Sequence, residues 1–199
     1  MALFVTLEGI DGAGKSTLTR SLARRLQETR IDVVQTKEPT SSWLGDAVRR
    51  AVEEDEDPRV QTLLFLADRG VHVERITGWL SEGKVVLCDR FQDSTLAYQR
   101  VALEGRVDDP RDWLERASSF ITLEPDLTLL LLVDPAEGLA RISATRARSP
   151  FERTAFLTRV QQVYEELAQS PRFVNLDGSL PRTKMAEAAE EAVLARLQA

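Results

Sequence analysis

Cysteine and histidine are nearly missing from this sequence of 199 residues, which contains one of each, Cys88 and His72. A single cysteine excludes a disulfide bond within the chain and is typical of a reducing compartment, so we expect the cytoplasm. Without a cluster of cysteines and histidines, no zinc site is expected. We interpret Cys88 as a small buried apolar residue and His72 as a surface residue.

Long apolar runs are missing as well. The longest, around residues 129–133, is far shorter than the roughly 20 residues that a membrane-spanning helix needs, so we expect no membrane partner. The N-terminus leads straight into a strand pattern, without the basic region and cleavage site of a signal peptide.

Basic residues are fewer than acidic ones. The sequence has 26 lysines and arginines and 32 aspartates and glutamates, which gives a net charge of −6. A protein that coats nucleic acid needs a basic face, so we expect no nucleic-acid partner. A small anionic substrate is still allowed, since a few arginines can reverse the field inside one cleft.

Short apolar segments alternate with helical periodicity, a pattern typical of parallel strands joined by crossover helices. Leucines spaced four apart stripe a first helix after residue 14, and Asp134-Pro135 predicts the cap and first residue of a later one. Two more helices are predicted over about 156–168 and 183–197. No repeat or linker is evident, which predicts a single α/β domain over residues 1–199. The predicted strands are 3–8, 31–36, 85–89, 127–133 and 173–176.

The strongest motif is residues 9–17, which fit G-x-x-x-x-G-K-[ST] between a predicted strand and a leucine-striped helix. Glycines let the backbone N–H groups face an anion, and the helix N-terminus adds positive charge. Lys15 is predicted to reach the β- and γ-phosphates of ATP and to be catalytic, and Ser16 to ligate Mg²⁺. The alternative is a glycine-rich turn with a surface lysine. The predicted ATP-binding residues are Gly9, Ile10, Asp11, Gly12, Ala13, Gly14, Lys15, Ser16 and Thr17.

Two acidic residues have open roles. Asp11 either contacts the metal or the acceptor's sugar, or it only stabilises the loop. Asp89 ends a hydrophobic strand, a position that lies beside the phosphates in a fold with such a loop, so we predict that it holds Mg²⁺ directly or through water. Taken alone, an aspartate there is more often a turn former.

Polar residues follow Asp89 at four-residue spacing, namely Arg90, Ser94 and Tyr98, with Thr95 beside them. A helix over this stretch places them on one face. Next to a triphosphate site, a guanidinium, two hydroxyls and a phenol indicate an acceptor that carries a phosphate and a polar ring or sugar. The alternative is an amphipathic helix in which Tyr98 is half buried and Arg90 pairs with an acid.

A second face contains Phe65, Arg69 and His72 at helical spacing. An aromatic ring beside a planar cation can sandwich a base and donate a hydrogen bond to its carbonyl. By pattern alone, a phenylalanine at such a position is more often part of the core.

The segment 141–153 contains four arginines in thirteen residues of an otherwise acidic protein. A mobile arginine-bearing lid supplies positive charge to a migrating phosphoryl group and excludes water, so we predict a lid here. The alternative is a solvated basic helix end. Spacing does not single out one arginine, and the catalytic candidates are Arg141, Arg146 and Arg148.

Taken together, these residues resemble the thymidylate kinase family, within the nucleoside monophosphate kinase group. The similarity covers nearly the whole chain, and the block from Asp89 to Gln99 is the most specific to the family. The blocks in order are residues 7–17, 36–39, 64–69, 89–99 and 141–153.

The resemblance implies a P-loop three-layer α/β/α sandwich with a five-stranded parallel sheet. It implies a homodimeric enzyme that phosphorylates dTMP to dTDP with ATP and Mg²⁺, in dTTP biosynthesis. Arg90 would bind the acceptor phosphate, Phe65 would stack on thymine, Arg69 would bond its carbonyl, Thr95 would read the base edge, and Tyr98 would exclude a ribose 2′-hydroxyl. The implied substrate-binding residues are Asp11, Glu38, Pro39, Phe65, Arg69, Arg90, Ser94, Thr95, Tyr98 and Gln99.

Three features depart from the family's usual pattern. Gly12 occupies a position where some members place an arginine, so the lid arginines would have to supply that charge. The frequent Arg-Glu-Pro-Gly-Gly-Thr is replaced by residues 37–42, Lys-Glu-Pro-Thr-Ser-Ser, and the lid is short, with Ser149-Pro150 at its usual acidic position.

Two other functions compete with this interpretation. A deoxynucleoside kinase shares the phosphate loop and the strand-end acid but accepts a nucleoside without a phosphate, which leaves Arg90 without a purpose. A nucleotide-gated regulatory ATPase would leave the whole polar face from Arg90 to Tyr98 without one.

Overall fold

The computed structural model describes residues 2–142 and 150–198. One or two helices separate each strand from the next along this part of the chain, in agreement with the predicted α/β pattern. The strands are β1 (Leu3–Glu8), β2 (Val33–Lys37), β3 (Val85–Asp89), β4 (Leu127–Leu132) and β5 (Phe173–Asp177). The helices are α1 (Lys15–Glu28), α2 (Trp43–Glu53), α3 (Pro58–Ser81), α4 (Gln92–Ala102), α5 (Pro110–Ala117), α6 (Pro135–Ala140), α7 (Pro150–Leu167) and α8 (Arg182–Gln198).

All five strands are parallel and lie in the order β2-β3-β1-β4-β5, which confirms the predicted five-stranded parallel sheet. The register places Asp89 beside Leu7 on one side and beside Lys37 on the other. Because the carboxyl ends of parallel strands meet at one edge, the segments that follow β1, β2 and β3 converge there. These segments contain the phosphate loop, Glu38-Pro39 and Arg90.

Side chains of the central strands alternate between two apolar clusters, one on each face of the sheet. From β1, Leu3, Val5 and Leu7 enter the larger cluster with α1, α7 and α8, whereas Phe4 enters the smaller one with α3. Alternation of this kind requires helices on both faces, since every second side chain points to the opposite side. The predicted three-layer α/β/α sandwich is confirmed.

Element boundaries differ from the predicted ones mainly around α1 and α7. β2 starts at Val33 rather than residue 31, because the Ile31 N–H donates to the Leu26 carbonyl, 3.1 Å away, to close α1, with Arg30 at a φ of 65°. α7 starts at Pro150, earlier than predicted. The predicted cap is confirmed, since Asp134 accepts from the Ala136 N–H at 2.9 Å.

Within residues 2–142 and 150–198, none of the helices has the length and apolar character needed to traverse a bilayer.

Candidate active site

The phosphate loop turns sharply between β1 and α1, with Gly9, Gly12 and Gly14 all at positive φ. A Cβ built on Gly12 would lie 1.9 Å from the carbonyl oxygen of Gly138, within α6. No side chain fits there without moving the backbone of α6. This contact gives a physical reason why the loop has a glycine rather than an arginine at this position.

Lys15 lies at the first turn of α1 and is almost fully buried, at 6% exposure. Its ammonium donates to the carbonyl oxygens of Gly9 and Ile10, at 3.0 and 2.8 Å. Burial, assisted by the positive charge of Arg90, lowers the pKa of Lys15 to about 7. Two neutral carbonyls stabilise the charge of a buried ammonium only partly. Lys15 can therefore form a stronger interaction with an anion such as a polyphosphate.

Ser16 and Asp89 meet at the edge of the sheet, where the Ser16 hydroxyl donates to Oδ2 of Asp89. Two hard oxygen donors beside a phosphate loop match the needs of Mg²⁺, which binds through one or two protein oxygens and keeps water and phosphate oxygens as its other ligands. Among the described residues, no group of three or more His, Cys, Asp or Glu side chains is placed to hold a metal. The donor set fits a substrate-bound magnesium ion better than a protein-caged one.

Arg90 lies just before α4 rather than on it, so the predicted helical face needs correction. It adopts a φ of 72°, and its position comes from this left-handed turn, because α4 begins at Gln92. The turn still brings the guanidinium to Ser94, whose Oγ is 3.0 Å from Nη1, and to the Tyr98 ring, whose centroid is 5.0 Å from its central carbon.

The guanidinium of Arg90 faces the phosphate loop. Its Nη2 donates to Oδ1 of Asp11 at 2.6 Å, and Nη1 donates to the Gly9 carbonyl at 3.2 Å. Asp11 also donates its N–H to the Tyr98 hydroxyl at 2.8 Å. In this arrangement Asp11 ties the loop to the Arg90–Tyr98 pair, which agrees with the loop-stabilising alternative for this residue.

The Ser94 side chain is buried and contacts other polar side chains. Its hydroxyl donates to Oε2 of Glu8 at 2.5 Å, and the Tyr164 hydroxyl donates to the same oxygen at 3.0 Å. The other oxygen of Glu8 accepts from the Phe91 N–H at 2.7 Å. Ser94 therefore orients Arg90 through the hydrogen bond between their side chains, while its predicted contact with the acceptor stays a prediction.

Glu8 is an ionisable group in the centre of this network. Burial, with the negative charge of Asp93 adding to it, raises the pKa of Glu8 from 4.5 to about 7. No role was predicted for Glu8, because its partners Phe91, Ser94 and Tyr164 are far from it in the sequence.

The raised pKa of Glu8 predicts a pH-dependent stability. An unfolded chain ionises this carboxyl near pH 4.5 and the folded one near 7, so folding stability is full below the lower value and is lost as the pH rises through this window. The loss is on the order of 3 kcal/mol. Urea unfolding at pH 5, 6, 7 and 8 measures it, and Glu8→Gln should flatten the profile.

The control for that series is Glu74→Gln on the exposed side of α3, which should reproduce the wild-type profile. Parallel profiles for wild type and Glu8→Gln would show that Glu8 is ionised in the folded state across the whole range.

Glu38, after β2, forms the centre of a second buried network. One carboxylate oxygen accepts from Nε and Nη2 of Arg69 at 2.9 and 2.6 Å, and the other lies 2.9 Å from Nδ1 of His72. The second ring nitrogen of His72 lies 2.7 Å from the Thr36 hydroxyl. The interpretation of His72 as a surface residue was wrong, since it is 2% exposed. Its neighbours are polar groups that satisfy both ring nitrogens, a pairing that is invisible in sequence.

Arg69 links this network to α4. Its Nη2 also donates to the Thr95 hydroxyl at 2.8 Å and to the Phe91 carbonyl at 3.1 Å. Its remaining nitrogen, Nη1, is buried and has no hydrogen-bond partner among the residues that the structure describes. A buried donor without a partner costs stability.

The loop after the cis Glu38–Pro39 peptide is held by Asp68, which sequence analysis did not single out. The buried carboxylate accepts from the Thr40 N–H at 2.7 Å, and from the hydroxyls of Thr40 and Ser42 at 2.6 and 2.9 Å. These hydrogen bonds from Thr40 and Ser42 fix the shape of the loop.

Phe65 lies one helical turn before Arg69 on α3 and is half buried, and Gln99 on α4 is buried. Their predicted contacts with the acceptor stay predictions.

A cleft of about 880 Å³ opens at this edge of the sheet. It brings together Lys15, Asp89 and Arg90 with Glu38 after β2 and Arg141 after α6. The other residues that line the cleft are Asp11, Gly12, Ala13, Gly14, Ser16, Thr17, Leu18, Ser21, Lys37, Gly178, Leu180, Pro181, Arg182 and Met185.

Arg141 bridges two walls of this cleft. Its guanidinium contacts the carbonyl oxygens of Gly12 and Gly178, at 3.4 and 3.3 Å, and pairs with Glu137 at 2.5 Å. The other two catalytic candidates of the predicted lid, Arg146 and Arg148, lie outside the described residues.

The chain is similar to known proteins over most of its length. A family model described as thymidylate kinase matches residues 7–189. A protein of Methanospirillum hungatei named "Probable thymidylate kinase" is 43% identical over 194 residues, which cover 96% of this chain and 93% of that protein. Proteins of the same name from Methanoculleus marisnigri and Natronomonas pharaonis are 40% and 39% identical, covering 92% and 96% of this chain and 90% and 97% of their own lengths.

Proposed function

The chain belongs to the thymidylate kinase family, and we propose that it transfers the γ-phosphoryl group of ATP to dTMP, with Mg²⁺ as cofactor, to give dTDP for dTTP synthesis in the cytoplasm. One observation carries the proposal. Two buried or half-buried cations, Lys15 in the donor loop and Arg90 after β3, face a single cleft.

The donor site is built by the loop and the first turn of α1. Backbone N–H groups and Lys15 hold the β- and γ-phosphates, while Ser16 and Asp89 supply protein ligands for the metal. When bound, Mg²⁺ neutralises phosphate charge during the transfer. Arg141 lies between the loop and Gly178, on the donor side of the cleft.

The acceptor site lies across the cleft, where Arg90 binds the phosphate of dTMP. An oxygen of that phosphate attacks the γ-phosphorus in line, the bond from phosphorus to the bridging oxygen breaks, and ADP leaves. Arg69 offers its unpaired Nη1 to a carbonyl of the thymine ring, Thr95 lies beside it, and Phe65 stacks on the base.

The whole chain forms one P-loop kinase domain with an arginine-rich lid over residues 141–153. The candidates for placing positive charge on the migrating group are the lid arginines Arg141, Arg146 and Arg148, because Gly12 leaves no room for an arginine in the loop itself.

A panel of acceptors tests this function. Thymidine, dTMP, dUMP, dCMP and AMP are offered with ATP and Mg²⁺ in an assay of ADP release, and dTMP should give the highest kcat/KM. Preference for thymidine over dTMP would identify a deoxynucleoside kinase, and ADP release that is independent of every acceptor would identify a regulatory ATPase.

Tyr98 is proposed to exclude ribonucleotides by its bulk. Its ring contacts the Arg90 guanidinium, and its centroid lies 6.4 Å from that of the Tyr164 ring. Tyr98→Ala should raise kcat/KM for the ribose analogue of dTMP by about 10-fold or more, because one steric group is worth about that much. Tyr98→Phe keeps the bulk and should stay selective, and continued rejection of the ribose analogue by Tyr98→Ala would refute the steric role.

Association into a homodimer is proposed through α3. Val60, Leu63 and Val71 are 46%, 54% and 41% exposed at helical spacing, and Phe120, 60% exposed, extends the same apolar surface. The Phe120 ring lies against α3 at Gly70, where a Cβ would be 3.1 Å from it. Contiguous apolar surface of this kind favours a protein partner.

Leu63→Glu should convert the dimer to a monomer in sedimentation velocity, since a carboxylate would be buried at the contact. Ala195→Glu, on the exposed side of α8, serves as the control and should leave the mass unchanged. A wild-type protein that sediments as a monomer at micromolar concentration would contradict the proposed dimer.

A further inference from the structure

His72 has no role in the phosphoryl transfer described above, yet it is among the most enclosed polar residues of the molecule. Both ring nitrogens have partners at 2.7 and 2.9 Å, and the side chain is 1% exposed. Its Nδ1 contacts Glu38, which lines the cleft.

We propose that His72, supported by Thr36, is a positioning residue that sets the base specificity of the acceptor site through Glu38 and Arg69. The inference rests on the proposed function, because it assumes that Arg69 reads the acceptor base.

The protonation pattern follows from the partners. Glu38 is held by the guanidinium of Arg69 and acts as an acceptor, so Nδ1 of His72 donates to it. The Thr36 hydroxyl at Nε2 then fixes the plane of the ring. Such an outer partner orients the group that touches the ligand, as second partners do for metal-bound histidines.

The two carboxylate oxygens of Glu38 therefore have different partners. Oε1 is engaged by His72, which leaves Oε2 to accept both Nε and Nη2 of Arg69. With two of its nitrogens fixed by Glu38, and Nη2 also shared with Thr95, Arg69 has only Nη1 unpaired within the described part of the chain. A guanidinium with one free nitrogen held in place presents its N–H groups to an acceptor at one position, here a ring carbonyl.

Loss of His72 would free Oε1 to compete for the guanidinium. Arg69 could then rotate so that Oε1 and Oε2 accept in a fork, and Nη1 would no longer be held towards one atom. The ion pair itself survives, so the fold should persist while recognition of the base weakens.

The test compares His72→Phe with the wild-type enzyme on dTMP, dUMP and dCMP. Thymine and uracil carry a ring carbonyl where cytosine carries an amino group, so only the comparison with dCMP reports on the donor from Arg69. His72→Phe should raise KM for dTMP about 10- to 100-fold, the value of a hydrogen bond to a charged group, with kcat within about threefold of wild type.

Selectivity for dTMP over dCMP should fall by a similar factor, while selectivity for dTMP over dUMP and the KM for ATP stay unchanged. His72→Asn keeps a donor where Nδ1 lies and should recover most of the loss. Thr36→Val, at a half-buried site, should lower the same ratio by a smaller factor and carries the test if His72→Phe does not fold.

A lower melting temperature with an unchanged dTMP-to-dCMP ratio in His72→Phe and Thr36→Val would overturn the inference and leave His72 a structural residue. Failure of the wild-type enzyme to use dTMP at all is a separate result, which would reject the proposed function itself.

Discussion

Replacement of Arg90 by alanine should abolish measurable phosphorylation of dTMP, with kcat/KM reduced by at least about a thousandfold. Arginines that stabilise a transferring phosphoryl group are worth about 10³ to 10⁵ in rate. In this protein Arg90 is the group that turns towards Asp11 and Gly9 at the mouth of the cleft, and its left-handed backbone fixes that direction. Steady-state kinetics with varied dTMP measure the effect.

Arg100→Ala is the matched control for this variant, because Arg100 lies on α4 and pairs with Glu166 at the surface, 2.6 Å away. It should behave like wild type. Arg90→Lys keeps the charge but loses the fork and should lie between the two. Near-normal kcat/KM for dTMP in Arg90→Ala would contradict the acceptor role.

Replacement of Lys15 by methionine should lower kcat by about a hundredfold or more and leave the fold at least as stable as wild type. The kinetic loss follows from removal of a fixed positive charge at the phosphates. The stability follows from burial, because the pKa of Lys15, lowered to about 7, shows that the folded state disfavours its charge. Kinetics and thermal unfolding of the same variant measure both effects.

Lys184→Met, on the exposed side of α8 where Lys184 pairs with Glu187, is the control and should change neither quantity. A large drop in the melting temperature of Lys15→Met would instead show that the two carbonyl contacts of the ammonium outweigh the loss of its hydration.

Local signals allowed the architecture to be predicted. Short apolar strands, leucines at helical spacing and the Asp134-Pro135 cap each reflect the chemistry of neighbouring residues, and each was found within a few residues of its predicted place. The start of β2 was missed because Arg30 takes a left-handed conformation that its side chain does not announce. Sheet order is not a local property, and no strand order was predicted.

The same difference between local signals and contacts across the fold applies to the residues of the site. Gly9–Thr17, Asp89 and Arg90 lie in contiguous motifs, so their meeting at the sheet edge could be anticipated. Contacts between distant segments could not, such as Asp68 with the loop after Glu38, or His72 with Thr36 and Glu38. A histidine one turn after an arginine on a helix fits the surface as well as the interior, and only its partners across the fold decide.

The two outer strands of the sheet have a consequence for solubility. β2 and β5 have five residues each and end in Lys37 and Asp177. Two residues before these ends lie the exposed Gln35 and Asn175. Short edges that carry charges and amides are poor templates for a foreign strand. Even at high concentration, this enzyme should therefore resist growth into fibrils by addition of strands at either border of its sheet.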